Sequence, residues 1–164
     1  MENQVLLENL QANFGDKLVN ITEPYNLLTL ETDTETILPI LHFLYSTPEL
    51  KFQYLTDICG IHYPENNLQL GVIYHVHSLQ FNKRIRIKVF LNEENPEIPT
   101  ATNLFKAANW MERETYDFFG IIFTGHPNLK RILNVDDMVA FPMRKEHPLE
   151  DPNRIDKKDY FFGR

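Results

Sequence analysis

Apolar residues recur along this chain at two periods, and the switches between them lay out its elements. Val5, Leu6, Leu10 and Phe14 fit one side of a short helix that Gly15 can end in a left-handed cap. Residues 17–21 and 25–31, rich in aliphatic and β-branched side chains, read as two strands joined through Thr22-Glu23-Pro24. Ile37, Ile40, Leu41 and Leu44 return to helical spacing over 36–46. Pro39 stands in the first turn, where its missing N–H costs little, and Pro48 follows the end. Three strands come next, at about 52–61, 68–79 and 83–91. The last is the clearest, since Ile85, Ile87, Val89 and Leu91 alternate with Arg84, Arg86 and Lys88, as in an antiparallel strand with one buried face.

Pro96 and Pro99 break this pattern, and a third helix is expected over 102–119, stopped by Gly120. At about 100° per residue, Leu104, Ala108, Met111, Thr115 and Phe118 form a stripe that can pack on the sheet. The opposite face holds Lys106, Trp110, Arg113 and Asp117, with Glu114 beside it. A tryptophan among charges, turned away from the core, predicts that a second surface covers this face. Beyond Gly120, Ile121-Ile122-Phe123 predicts a short strand and Gly125-His126-Pro127 a turn, with Asn128 capping a brief helical turn through Leu129 and Ile132. From Asp136 onward periodicity disappears, and Pro142, Pro148 and Pro152 among many charges predict an extended tail, either without structure of its own or laid on a partner. The expected fold is α+β, a two-layer helix and antiparallel-sheet arrangement in the order α-β-β-α-β-β-β-α with an extended C-terminal tail. It divides into an α+β domain over 1–98, a helix and following loop over 99–133 packed on the same domain, and a partner-binding tail over 134–164.

Composition narrows the function classes. With 164 residues, 43% of them hydrophobic, the chain can bury one core of ordinary size. No stretch reaches the ~18 uninterrupted apolar residues of a membrane-spanning helix, and the N-terminus lacks the basic and apolar runs of a signal peptide. The single cysteine, Cys59, excludes an internal disulfide framework. The net charge of −7 is uneven: residues 1–98 carry 13 acidic and 6 basic side chains, whereas residues 130–164 carry 7 and 8. An acidic chain without a basic stripe is a poor general nucleic-acid binder.

Charge, aromatics, glycine and proline crowd together over 110–149, which marks either an active site or a recognition surface. Glu112 and Glu114 stand about 160° apart on the helix and cannot face one substrate, but Glu114 and Asp117 can, which allows a stand-alone carboxylate-dependent enzyme. The alternative is that Arg113 pairs with Asp117 at i,i+4 while the acids bind a neighbouring chain or loop. No nucleophile, phosphate loop or metal motif accompanies the acids, which favours recognition, and a free-standing binding module is a further possibility. Cys59, His62, His75 and His77 offer four ligand types should their strands pair, although their spacing fits no zinc pattern and exposed strand histidines explain them equally well. His126 and His147 each precede proline, which suits turn geometry better than proton transfer. There is no dinucleotide fingerprint or P-loop, and one cysteine cannot hold a four-cysteine iron-sulfur cluster.

These residues carry a resemblance. The run Glu112-Arg113-Glu114-Thr115-Tyr116-Asp117-Phe118-Phe119-Gly120-Ile121, then Phe123, Gly125-His126-Pro127, Leu129, Arg131-Ile132-Leu133, Asp136-Asp137 and Arg144-Lys145, resembles the signature of the 30 kDa (C) subunit family of NADH-quinone oxidoreductase, respiratory complex I. The similarity extends upstream through Tyr74-His75, Ser78-Leu79, the basic strand around Arg84 to Val89, and Ala107-Ala108-Asn109-Trp110. The chain differs from the family where His62 stands for a common aspartate, Met138 for a tryptophan, Phe141-Pro142-Met143 for His-Pro-Leu, and Glu146-His147 for Asp-Tyr. The resemblance implies a cofactor-free structural subunit of the peripheral arm of a proton-pumping NADH:quinone oxidoreductase. FMN, iron-sulfur clusters and quinone would then belong to partner subunits. It implies binding chiefly to the 49 kDa (D) subunit, with the B and I subunits as other neighbours, at the cytoplasmic side of the cell inner membrane. The implied partner interface comprises Trp110, Glu112, Arg113, Glu114, Asp117, Gly120, Gly125, His126, Pro127, Arg131, Arg144 and Lys145. A homologous subunit of a membrane-bound hydrogenase or another complex I relative is the alternative.

Overall fold

The computed structural model describes residues 2–147. Helix α1 (Asn3–Phe14) ends where Gly15 adopts φ +46° and its N–H bonds back to the Gln11 carbonyl. Leu6 and Leu10 reach the core, while Val5, expected on the same stripe, is exposed. Strands β1 (Val19–Thr22) and β2 (Leu28–Thr32) form the expected hairpin. Their connection is a tight turn closed by the Leu27 N–H on the Pro24 carbonyl, with Tyr25 and Asn26 left-handed at φ 54° and 62°. Residues 25–27 therefore belong to the turn, because Pro24 fixes its own φ and opens a tight reversal that cannot enter a ladder.

Helix α2 (Ile37–Ser46) follows, and then β3 (Tyr54–His62), β4 (Leu70–Ser78) and β5 (Lys83–Leu91) complete a five-stranded sheet in the order β1-β2-β5-β4-β3. The meander of β3, β4 and β5 is antiparallel, but β2 lies parallel to β5, Leu28 facing Ile85 and Thr32 facing Val89. The α+β class holds, and the expectation of a wholly antiparallel sheet is corrected at this junction. The chain leaves β2 through α2, re-enters at the far edge as β3, and the meander then brings β5 beside β2 in the same direction.

Alternation decides which face is buried. Leu70, Val72, Tyr74 and Val76 of β4 and Ile85, Ile87 and Val89 of β5 are at most 1% exposed, in one cluster with Leu6, Ile37 and Leu44 of the helices. The intervening Ile73, His75, Arg84, Arg86 and Lys88 face the other side and are half-buried or exposed. Each buried aliphatic side chain contributes about 1.5–3 kcal/mol, so a one-residue slip of β5, which would turn its arginines inward, is strongly disfavoured.

Helix α3 (Ala108–Phe119) packs against β3, and the Phe119 ring lies over Gly60, where any Cβ would overlap it. The helix starts at Ala108, later than the Thr102 expected from the sequence pattern. Thr100 and Thr102 instead hold residues 100–102 in local side-chain and backbone bonds, and the Leu104 and Phe105 N–H groups share the Ala101 carbonyl. Two short strands the hydropathy pattern only half reveals, β6 (Glu97–Pro99) and β7 (Ile122–Thr124), pair in parallel on either side of α3 in the chain. Pro99 is tolerated at the end of β6, where no further ladder donor is required. The helical turn expected through Leu129 and Ile132 does not form, and the Asn128 N–H donates to His126 Nδ1.

Candidate functional site

The sequence pattern of helix α3 calls for a second surface over the face of Lys106, Trp110, Arg113 and Asp117, and the structure supplies one for Arg113 and Asp117 but leaves Lys106 and Trp110 exposed. That surface is the chain's own segment 130–144. Asp117 is fully buried, and its carboxylate accepts hydrogen bonds from the backbone N–H groups of Ile132 (3.0 Å), Leu133 (2.8 Å) and Asn134 (2.9 Å), from Asn134 Nδ2 (3.1 Å) and from Arg131 Nη1 (2.7 Å). Burial acts to raise its pKa, but the bonds from Asn134, Arg131, Leu133 and Ile132 win and hold it well below the usual carboxylate range. Arg131 also donates to the carbonyls of Asp117, Met138 and Ala140. Arg113 donates from Nε to the Lys130 carbonyl (3.0 Å) and from Nη2 to the Arg131 carbonyl (2.9 Å). The i,i+4 pair of Arg113 with Asp117 is therefore replaced by two separate anchors on one segment.

The clamp continues past Gly120. Phe141 lies between two guanidinium groups, Arg131 at 5.2 Å and Arg144 at 5.1 Å from its ring centroid, with Tyr116 edge-on. A Cβ on Gly120 would come within 2.5 Å of that ring, and its φ of +74° is left-handed, so glycine is required on both counts. Arg144 donates to the Phe119 carbonyl (2.8 Å) and to Glu93 (2.9 Å), and the Lys145 N–H donates to His62 Nδ1 (2.9 Å). The described part of the expected partner-binding tail, up to His147, thus lies on its own domain; residues 148–164, with Pro148, Leu149 and Pro152, fall outside the described residues.

Glu112 is a second buried acid, on a position that helical periodicity leaves outside the core stripe. It is 0% exposed, with Oε1 accepting from the Ala101 N–H (2.7 Å) and Oε2 from the Thr100 hydroxyl (2.5 Å). Burial pushes its carboxyl up to about 7, against the lowering effect of the Thr100 and Ala101 bonds. His126 Nε2 lies 3.9 Å away. Because the Asn128 N–H donates to His126 Nδ1 (3.0 Å), Nε2 carries the proton and donates to the Asn109 carbonyl (3.1 Å). Glu112 and His126 therefore staple residues 100–101 and 126–128 to α3, with Gly125 at φ +81° and Pro127 completing the turn. A sequence clue exists in the Thr-Ala-Thr run preceding the helix, whose small hydroxyl residues suit a buried acid.

The structure separates the other candidates. Asp117 has every acceptor site occupied by the chain, whereas Glu114 is exposed on another side of the helix. The carboxylate pair of the stand-alone enzyme reading is not assembled. Cys59 and His62 are three residues apart in β3 and project to opposite faces, and His75 and His77 lie with Cys59 on the outer face, so the four do not converge. His62, Glu93 and Glu146 do place three ligand atoms within 4.8 Å of one another. Arg144 and the Lys145 N–H already occupy two of these acceptors, so this is an internal polar junction. Trp110 remains 59% exposed, with the Arg113 guanidinium 5.3 Å from its ring.

Fold and site together define an α+β domain whose last helix spends its buried charges on fixing a non-regular segment of the same chain. Comparison with known proteins gives that arrangement its family. The family described as "Respiratory-chain NADH dehydrogenase, 30 Kd subunit" matches residues 30–153, and the chain belongs to it. It is 40% identical over 149 residues to the C subunit of NADH-quinone oxidoreductase from Roseiflexus sp. (strain RS-1), covering 91% of this chain and 86% of that protein. Among solved structures, it resembles the trypsin-resistant fragment (1-134) of Nqo5 with a TM-score of 0.66 and 30% identity, over 79% of this chain and 100% of the fragment. It shares its fold with a chain of the membrane-bound sulfane sulfur reductase, an archaeal respiratory membrane complex, with a TM-score of 0.75 and 18% identity, over 89% of this chain and 85% of the other. Among the described residues no helix is long and apolar enough to cross a membrane.

Proposed function

We propose that this chain is a cofactor-free structural subunit of the peripheral arm of a proton-pumping NADH:quinone oxidoreductase. It docks chiefly on the 49 kDa (D) subunit, with the B and I subunits as further neighbours, and those partners carry the iron-sulfur clusters and the quinone site, with FMN in the same arm. Its attachment to the cytoplasmic face of the inner membrane is through the complex alone. The observation that carries this reading is the use made of the family signature. Glu112, Arg113, Asp117, Arg131 and Arg144 are engaged with this chain's own backbone and side chains, which makes them parts of a shaped surface and leaves none of the five free for catalysis. Electrons then pass through neighbouring subunits, and this one holds geometry.

Tagged chain expressed in place of the native subunit tests this. Wild type should co-purify with an oxidoreductase carrying flavin and iron-sulfur absorbance, while the isolated chain binds neither NADH nor flavin. Arg113→Glu, or truncation after Gly120, should prevent incorporation, because each removes the clamp that shapes residues 130–144. Normal assembly of both variants would overturn the proposal. The alternative, a homologous subunit of a membrane-bound hydrogenase or another relative, has the shared fold of the sulfane sulfur reductase chain in its favour. The substrate oxidised by the co-purified complex distinguishes the two.

A further inference from the structure

β3 is an edge strand, and its surroundings are those of a receptor for another strand. Among the described residues it has β4 on one side and no strand on the other, and no backbone group of its outer edge joins another segment's backbone. Its nine residues contain neither proline nor lysine, the residues that commonly block an edge. A register irregularity between Leu55 and Asp57 protects only its first part. Beside the second part lies a cavity of about 310 Å³ between β3 and α3, whose apolar lining includes Ile58, Phe118, Phe119 and Met143.

The rim of this groove is acidic. Asp57 and Glu114 stand on its two sides, one from the strand and one from the helix. Glu114 has no ion-pair partner among the described residues, and Asp57 has only His75 at 3.7 Å. His75 is held toward its neutral form by burial and by Arg86, whose Nε donates to the imidazole. The Cys59 thiol between them is pushed up to about 11, by burial first and then by Asp57, with Glu114 adding to the effect. The two carboxylates line the same cavity.

We propose that the β3 edge receives an extended segment of a partner polypeptide by strand addition, with an apolar side chain in the groove and a lysine between Asp57 and Glu114. The main chain of the segment would pair with the open edge, and its lysine would neutralise the two acids. A second copy of this chain is a poor occupant, because pairing β3 with itself brings like acids together without a new cation. The inference rests on membership of a multi-subunit complex and adds to it a site and the chemistry of the segment bound there.

Zero-length carbodiimide cross-linking of the intact purified complex, followed by peptide mass spectrometry, tests it. Glu114 or Asp57 should link to a lysine of a partner protein in the complex, and the link should vanish in Asp57→Asn/Glu114→Gln. The charge-reversed Asp57→Lys/Glu114→Lys chain should recover at least ten-fold less of that partner per tagged chain at an unchanged melting temperature, since Glu114 is exposed and the Asp57 side chain half-exposed. Links confined to this chain or to a second copy, or full recovery of the partner by the charge-reversed chain, would overturn the inference while leaving the proposed function intact. A wild-type chain that recovers no oxidoreductase component at all would overturn both.

Discussion

Glu112 and Gly120 show how single positions fix the site and how each can be probed alone. The folded-state pKa of Glu112 is raised from 4.5 to about 7, so between those values the folded chain binds more protons than the unfolded one and loses stability as pH rises. One pKa unit corresponds to about 1.4 kcal/mol, which makes the loss by pH 8 about 3 kcal/mol. Glu112→Gln keeps an acceptor for the Ala101 N–H and never ionises. It should match wild type at pH 4.5 and exceed it in urea-melt stability by up to about 3 kcal/mol at pH 8. Equal pH dependence of the two proteins would refute the assignment. Gly120→Ala should cost about 1–3 kcal/mol through its positive φ alone, plus the clash with Phe141. Adding Phe141→Leu should recover the clash and not the backbone strain, which a double-mutant cycle of melting temperatures reads directly.

At the scale of elements, the clamp between α3 and residues 130–144 rests on Asp117. Asp117→Asn cannot offer the same charged acceptor to three N–H groups and leaves Arg131 buried without its counter-ion, at a cost of about 3 kcal/mol in a urea titration at neutral pH. The sign at low pH runs opposite to that of Glu112. A carboxylate held below its ordinary 3.8 stabilises the fold above that value and loses this as pH falls, so wild type should weaken below about pH 4 more steeply than the variant. Much of this element is legible in the sequence, because Gly120 marks the helix end, alternation locates β5 with its buried face, and the charged face of α3 calls for a covering surface. The identity of the cover is hidden. Asp117 grips backbone N–H groups, which every residue but proline carries, so nothing in the side chains of residues 132–134 announces the contact. Glu112 is misplaced for a related reason: periodicity assigns charged residues outward, and only the long-range contact with Thr100 and Ala101 reverses that. The parallel pairing of β2 with β5 is likewise a property of chain return, to which local patterns are blind.

For the whole molecule, the internal use of the signature changes what a docking surface must be made of. Charges already engaged within the chain cannot also supply most of the contact energy with a partner, so that role passes to what the clamp leaves outside. Trp110, Leu133, Val135, Val139 and Met143 are each at least half exposed, and four of the five stand on the segment that Asp117, Arg131 and Arg144 hold in place. Burying such side chains in a partner contributes about 1.5–3 kcal/mol apiece. Val135→Asp/Val139→Asp removes two of them and introduces charge, yet touches none of the clamp's side-chain contacts. The double variant should melt within a degree or two of wild type and still recover at least ten-fold less of the complex when used as bait, since ~1.4 kcal/mol is already a factor of ten in affinity. Trp110→Ala should likewise recover less of the complex from the helix side, with a modest loss of melting temperature because the ring stacks on the Arg113 guanidinium. Arg113→Glu, in contrast, should lower the melting temperature and assembly together, because it breaks the clamp first. If the surface variants assemble normally while Arg113→Glu does not, the segment is a structural strap, and the partner is held elsewhere on the domain.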